Sequence, residues 1–329
     1  MMVRTFKTAA APHIRHPDDT SKIMRDVLIA LIPATIFSGF IFGWYAWILA
    51  IVGAFGGELI EYIIIRFFRK DKNFVPDGSA SVTGLLLALN VSVKLPLWAF
   101  LVGLIFALVV GKHVYGGLGS NPFNPALVGR AFLMISFPVQ MTTWVKPYWP
   151  KFWMSPWDMV TSATPLALLK EHGFSAASKV STFDLFIGNV GGSVGEISAL
   201  LLLIGFVYLL IKKRVTWHIP TSYIGTVLII STIFWLVNPE KFGTPIFHIL
   251  SGGLMLGALF MATDMVTSPV TPKGMLLFGA GCGAITMIIR YFGGYPEGVS
   301  FSILIMNAFV PLIDSLTKPH KFGEVKQNG

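Results

Sequence analysis

The chain of 329 residues is 54% hydrophobic and only 12% charged, with a formal charge of +9 and a single cysteine. A charged fraction about half that of an average soluble domain excludes a soluble globular protein and marks an integral membrane protein. The basic balance invites a nucleic-acid reading, but Lys and Arg collect at the ends of apolar runs, as membrane topology requires, so no nucleic-acid partner is expected. Cys282 stands alone in an apolar Gly-rich run, which excludes an internal disulfide and an all-cysteine metal or iron–sulfur site; redox chemistry here needs an organic cofactor.

Residues 1–22 lack the apolar core and small-residue cleavage site of a signal peptide and are expected to remain as a basic cytoplasmic tail. A bilayer core of about 30 Å needs about 20 helical residues. Apolar runs near that length lie at 24–43, 45–68, 79–94, 96–112, 125–140, 197–211, 219–237, 246–262, 275–292 and 299–316. The third is short and rich in small residues (Ser79, Ala80, Ser81, Gly84), as a tilted or broken helix would be. With the N-terminus inside, Arg66, Arg69, Lys70, Lys72, Lys112, Lys212, Lys213, Arg214 and the C-terminal Lys318, Lys321 and Lys326 all fall inside. The outer side keeps Lys94, Lys146, Lys151, Lys170, Lys179 and Lys241, with Arg290 near an outer helix end. Both termini are therefore assigned to the cytoplasm and the long segment 141–196 to the outside.

Five spans on each side of that segment force the second half to enter from the opposite face, the arithmetic of an inverted repeat. The expected fold is all-α, about ten transmembrane helices as two inverted five-helix repeats at 23–140 and 197–317, with a second cytoplasmic tail at 318–329. Gly84-Leu85-Leu86-Leu87 and Gly253-Leu254-Met255-Leu256 occupy matching places in the halves.

Several polar features interrupt the spans. Glu58 and Glu61, three residues apart, share a helix face where lipid tolerates them only beside a wet cavity or a cation. The run from Gly116 to Pro125 cannot be a lipid-facing helix, because Gly and Pro leave backbone groups that hydrocarbon cannot satisfy. Its Asn121 and Asn124 offer amides either to a polar ring or to the cap of the following helix. Asp264 ends an apolar run, and is either a solvated terminus or a functional group. Trp144, Tyr148, Trp149, Trp153 and Trp157 read as an interfacial belt. His113 and His248 show no metal-ligand spacing and are read as structural; no metal site and no catalytic residue is assigned.

The run Asp158-Met159-Val160-Thr161-Ser162-Ala163-Thr164-Pro165 admits two readings. Thr before Pro is how a helix begins, with Thr164 as N-cap and Pro165 at the first helical position. The run also resembles the Asp-x-x-Ser/Thr-Gly-Ala-Thr motif at which membrane flavoproteins of the Rnf and Nqr respiratory complexes carry FMN, esterified through its phosphate to the last Thr. Asp158, Thr161, Ala163 and Thr164 fit, and Ser162 stands where Gly is common. Further stretches resemble the Rnf D and Nqr B family: Pro12-His13-Ile14-Arg15, Asp77-Gly78-Ser79-Ala80, Gly116 through Ala126, Arg130-Ala131-Phe132, and Phe260-Met261-Ala262-Thr263-Asp264. Met265 stands where that family leads one to expect Pro. The short N-terminal tail is more similar to the Rnf protein than to the Nqr one.

The resemblance implies an electron-transfer subunit of an ion-translocating ferredoxin:NAD oxidoreductase in a bacterial or archaeal cytoplasmic membrane. It implies covalent FMN on Thr164, with Asp158, Thr161, Ser162 and Ala163 forming the attachment motif. It also implies non-covalent riboflavin near Asn121, Asn124 and Asp264, and a sodium or proton path through Glu58, Glu61 and Asp314. The implied partners are the other Rnf subunits (A, B, C, E and G), an extracytoplasmic FMN transferase, which needs the Thr hydroxyl on an exposed, pliable loop, and membrane lipid. The alternatives are the quinone-reducing Nqr B protein, and a secondary transporter with inverted repeats. The charge asymmetry predicts that a cysteine introduced at Ser178 is labelled by an impermeant reagent in intact cells while one at Gln327 is not; the reverse pattern overturns the topology.

Overall fold

The computed structural model describes residues 19–70, 74–147, 153, 157, 159–196 and 198–318. Asp158 and both tails beyond these limits lie outside the described residues, as do Lys72, Tyr148, Trp149 and Lys151. Among the described residues the chain is all helical, with one isolated antiparallel bridge between Val145 and Thr161. The first half holds α1 (Thr20–Phe42), α2 (Trp44–Ile63, continued by a π-helical turn Ile64–Arg69), α3 (Ser79–Leu89), α4 (Leu97–Leu108, continued by a π turn Val109–His113), α5 (Pro125–Ser136) and α6 (Pro138–Thr142). The connecting segment carries α7 (Pro165–His172), α8 (Phe174–Ala177) and α9 (Thr182–Ile187). The second half holds α10 (Ala199–Ile211), α11 (His218–Val237), α12 (Pro239–Phe242), α13 (Pro245–Leu250), α14 (Leu254–Leu256, with a π turn Gly257–Met261), α15 (Pro272–Phe292) and α16 (Val299–Leu316).

One sequence device starts many of these helices. Asn124-Pro125, Thr164-Pro165, Asn238-Pro239, Thr244-Pro245 and Thr271-Pro272 each place a capping side chain before a proline, and each cap accepts a first-turn N–H. Proline has no N–H to leave unpaired there, and its fixed φ suits the first turn.

Among the described residues, five helices are long and apolar enough to cross a membrane: α1, Trp44–Arg69, α11, α15 and α16. Their outer faces are greasy, Phe55 being 74% exposed, as lipid contact demands. The run expected as one span at 246–262 is instead broken, α13 and α14 meeting at a bend of 45° between Pro239–Leu250 and Leu254–Met261. Gly252 at φ 72° makes the break. Side chains satisfy the freed backbone: Arg290 donates to the carbonyls of His248 (2.5 Å) and Ser251 (2.9 Å), and Glu297 accepts the Gly253 N–H. The third run, 79–94, is helical only through Leu89, about 16 Å of helix. Span five stops at Ser136 because Pro138 restarts the chain as α6.

Helix ends sort onto two faces. On one, Asp26 Oδ2 of α1 accepts from Arg214 Nε (2.7 Å) after α10, Arg69 donates to the His113 carbonyl (3.1 Å), and Asp314 of α16 accepts the Val270 N–H (3.1 Å). On the other, Lys94 reaches the Met159 carbonyl (3.0 Å), and Val194 N–H donates to the Val91 carbonyl (3.0 Å). Lys112, expected as a basic residue following span four, is instead buried within the π turn of α4 and paired with Glu61. The extra residue of the π turn lengthens the helix past the expected span end. Arg290 does lie in the last turn of α15, but buried.

Small residues let the helices touch where lipid supplies no hydrophobic drive. Gly53 of α2 and Gly84 of α3 meet backbone to backbone: a Cβ on Gly84 falls 1.8 Å from the Gly53 carbonyl oxygen. Gly84→Ala is therefore expected to lower stability by about 1–3 kcal/mol through overpacking. Thermal unfolding in detergent measures this against Gly225→Ala, where nothing lies within 4 Å and no loss is expected.

Candidate functional site

Two of the cavities hold the expected site residues, and they are named outer and inner after the topology expected from charge. The outer one, about 290 Å³, is lined by residues of α5, the Thr142–Ala167 stretch, Glu196 and the loop before α16. The bridge at Val145 and Thr161, with Lys146 N–H donating to Val160 O and Ser162 N–H to Trp144 O, both at 3.0 Å, delivers Ser162, Ala163 and Thr164 to its wall. Thr161 is exposed, but Thr164 is only 8% exposed. This differs from the expected pliable loop: Thr164 Oγ1 accepts the Ala167 N–H (3.1 Å) and starts α7. The capping reading of Thr-Pro therefore holds, in a side chain that also faces the cavity.

The hydroxyls of Ser162 and Ser300, both on the cavity wall, are buried without a hydrogen-bond partner among the described residues. Buried hydroxyls normally find one. Tyr295 and Phe301 stack at 5.5 Å beside them. A threonine hydroxyl, two unpartnered donors and a volume close to the lower end of ligand pockets (about 300 Å³) fit a phosphoester-linked planar ring.

The charged residues of this wall were not singled out from sequence. Arg130, inside α5, donates from Nη2 to Glu297 Oε2 and from Nη1 to Asn90 Oδ1, both at 2.7 Å. Glu196 and Glu297 both line the cavity. The lone Arg inside the apolar run 125–140 was the one available signal, since a charge within a span is functional by default.

The inner cavity, about 70 Å³, brings together Asn121, Asn124 and Asp264, with Ser79 and Lys112. Asn124 Oδ1 caps α5 through the N–H groups of Ala126 (3.0 Å) and Leu127 (3.3 Å), while its Nδ2 donates to the Met261 carbonyl (3.2 Å). Capping and cavity lining are thus one role. Asn121 Oδ1 is buried without a partner. Asp264 accepts from Val266 N–H (3.3 Å) and Thr267 Oγ1 (3.0 Å), and burial raises its carboxyl above the ordinary range. The polar groups suit a ring; the volume, about a quarter of a small ligand pocket, does not hold riboflavin. The sequence Asp-Met-Val-Thr-Ser recurs at 264–268, but there Thr267 is buried and its hydroxyl donates to Asp264, whereas its counterpart Thr161 is exposed.

Of the ion-path candidates, Glu61 Oε1 meets Lys112 Nζ (2.5 Å) and His113 Nε2 (3.0 Å). Lys112 also donates to Ser79 Oγ (2.6 Å). Glu58 accepts from Ser81 Oγ (3.1 Å) and N–H (3.3 Å). Glu58 thus faces α3, and Lys112 links Glu61 to the inner cavity. Asp314 lies elsewhere, holding the start of α15 through Val270. His248 lies with Nε2 2.6 Å from the Phe242 carbonyl.

Apolar helices around a buried ionic network, with broken helices ending at polar cavities, mark a multi-pass membrane protein. The chain belongs to the NQR2, RnfD, RnfE family, matching it over residues 7–323. It is 45% identical over 326 residues to the D component of the proton-translocating ferredoxin:NAD(+) oxidoreductase complex of Clostridium ljungdahlii, covering 97% of this chain and 96% of that one. It is 47% identical over 320 residues to the D component of the Na(+)-translocating ferredoxin:NAD(+) oxidoreductase complex of Acetobacterium woodii, covering 97% and 95%. The D component of the ion-translocating oxidoreductase complex of Escherichia fergusonii is 37% identical over 349 residues, with 98% and 99% covered.

Arg130→Met strands the Glu297 carboxylate and is expected to cost about 3–5 kcal/mol. Adding Glu297→Gln to it removes the stranded charge and should recover part of the loss, read as the melting midpoint of the purified chain.

Proposed function

We propose that this chain is the electron-transfer subunit of an ion-translocating ferredoxin:NAD oxidoreductase complex, carrying FMN as a phosphoester on Thr164. The observation that supports this most is the Thr164 hydroxyl in the wall of a cavity whose Ser162 and Ser300 hydroxyls have no protein partner. The names of the relatives, each the D component of an ion-translocating oxidoreductase complex, support the Rnf reading over the Nqr and transporter readings. Topology follows the charge asymmetry: about ten crossings, both termini in the cytoplasm, and Thr164 outside, where an extracytoplasmic transferase works.

FMN accepts and passes on electrons one or two at a time, and a covalent tether keeps it beside its partners at high effective concentration. The chain's own residues supply the rest. Thr164 provides the attachment oxygen and the start of α7 fixes its direction; Ser162 and Ser300 offer hydrogen bonds. Tyr295 and Phe301 present an apolar wall that limits water, and Arg130 keeps the wall's carboxylates from repelling an anionic guest. The inner cavity, with its unpartnered Asn121 Oδ1, is the place for a second, non-covalent flavin only if the loop from Gly116 to Asn121 moves to enlarge it. Glu58, Glu61 and Asp314 remain the proposed cation path. The other Rnf subunits deliver and remove electrons.

Thr164→Val, nearly isosteric but without a nucleophile, should abolish the ultraviolet fluorescence of the denatured chain made with its transferase. It should also lose about 1 kcal/mol of stability with the cap. Peptide mass spectrometry of the unaltered chain should place the FMN adduct on Thr164; an adduct on Thr161, Ser162 or Thr182 overturns the site, and a chain without flavin returns Thr164 to capping alone.

A further inference from the structure

The two carboxylates of the outer cavity are partnered unequally. Glu297 accepts from Arg130 Nη2 at 2.7 Å and from the Gly253 N–H. Glu196 accepts from Ser193 Oγ at 2.9 Å, and no cation pairs with it among the described residues. The other charges near this wall are Arg290 of α15, whose guanidinium is engaged by the carbonyls of His248 and Ser251, and Glu171 of α7. Two carboxylates in one enclosed wall do not ionise alike: the one with the cation and more donors keeps its charge, and the other keeps the proton. Burial first, and then the Glu297 carboxylate, push Glu196 up to about 8. Glu297, although burial opposes its charge, is held below the ordinary carboxylate range by Arg130. A second feature aims at the same space: Ser300 is 7% exposed and its hydroxyl, unpartnered, lines the cavity.

We propose that Glu196 is the proton-exchanging acid of the outer cavity: when it is ionised, adding one electron to the carrier esterified at Thr164 brings one proton to it from the outer water. The inference rests on the proposed function for that carrier. The step balances: a one-electron donor of the complex loses one electron and the carrier gains it. One O–H bond forms on the Glu196 carboxylate as one O–H bond of an outer water breaks and leaves hydroxide to the solvent, and the net charge of the cavity does not change. Below pH 8 the acid already holds its proton in both states, so the reduction potential is independent of pH through this group. Above pH 8 reduction brings a proton in, and the potential falls as pH rises. The limit is a tenfold change in the reduction equilibrium per pH unit, about 59 mV for one electron.

Redox titration of the flavin in the purified full-length chain, from pH 6 to 10, tests this against Glu196→Gln, which retains an acceptor for Ser193. The unaltered chain should show a downward bend near pH 8 that the variant lacks, and Glu171→Gln should keep the bend. A bend that survives in Glu196→Gln, or that disappears in Glu171→Gln instead, overturns the proposal. Infrared spectroscopy of the Thr164→Val chain, which carries no tethered flavin, reads the proton directly. A protonated-carboxyl C=O band should fade as pH rises through 8 and be missing in the Thr164→Val/Glu196→Gln chain. Absence of that band at neutral pH sinks the assignment even if Thr164 proves to carry FMN. Should no flavin be found on Thr164, the proposed function fails by its own test, while the infrared band still reports whether Glu196 holds a proton.

Discussion

Arg130 is the point on which the two halves of the chain close. A guanidinium carries five N–H donors in a rigid fork and cannot shed its charge, so inside a bundle of apolar helices it must find acceptors. It finds Asn90, the residue that ends α3, and Glu297, which in turn holds Gly253 at the start of α14. α3 and α14 are both too short to cross a membrane alone, and their open ends meet around one cation. Backbone groups that lipid leaves unpaired are answered here by side chains, which allows irregular chain at membrane depth.

The same fork sets the distance between the cavities. Pro125 lines the inner cavity and Arg130 the outer one, and both belong to α5. Five residues of helix rise about 8 Å, a small part of a bilayer core of about 30 Å. The two cavities therefore approach closely along α5. The wall between them is polar: Asn124 reaches the Met261 carbonyl, Met261 Sδ accepts from Asn90 Nδ2 at 3.4 Å, and Asn90 meets Arg130. In the proposed function, α5 is accordingly a short protein path between the two faces, and both ends of it are held by residues of the second half. The relatives at 45% and 47% identity are named for different ions, protons and sodium.

What could be read from sequence was local. The Asn-Pro and Thr-Pro starts, the small-residue run of α3, the pairing of Glu58 and Glu61 on one face and the gathering of polar residues around Gly116 to Asn124 all depend on neighbours a turn or two away. What escaped was long-range. Arg130 and Glu297 are 167 residues apart, and Glu297 sits in a Gly-rich turn that reads as an ordinary interfacial loop. Lys112 looked like a topology signal because a π turn carries helix α4 past its expected end, and only the fold brings Glu61 to it. The broken helix at Ser251–Gly253 was hidden by hydrophobicity, since Gly and Ser within an apolar run also suit close helix packing.

Thr164 has two readings, of which the cap is seen directly and the attachment belongs to the proposed function, and the two are physically compatible. As N-cap it presents Oγ1 as an acceptor to Ala167 N–H, and an ester oxygen can still be approached by that N–H, although more weakly than a hydroxyl. More telling is the position. α7 runs from Pro165 to His172, so anything attached at Thr164 lies at its N-terminus, where first-turn N–H groups and the helix dipole favour negative charge by about 0.3–1 kcal/mol at an exposed site and more when partly buried. A phosphoester is such a charge. The residue types that begin a helix are thus also those that suit a tethered phosphate, and the Thr-Pro step serves both: proline removes one N–H that would have gone unpaired, and threonine sets the oxygen at the positive end. Under the proposed function, an anion attached at Thr161 or Ser162, ahead of the helix, would lack that stabilisation, which argues for Thr164 among the hydroxyls of the run.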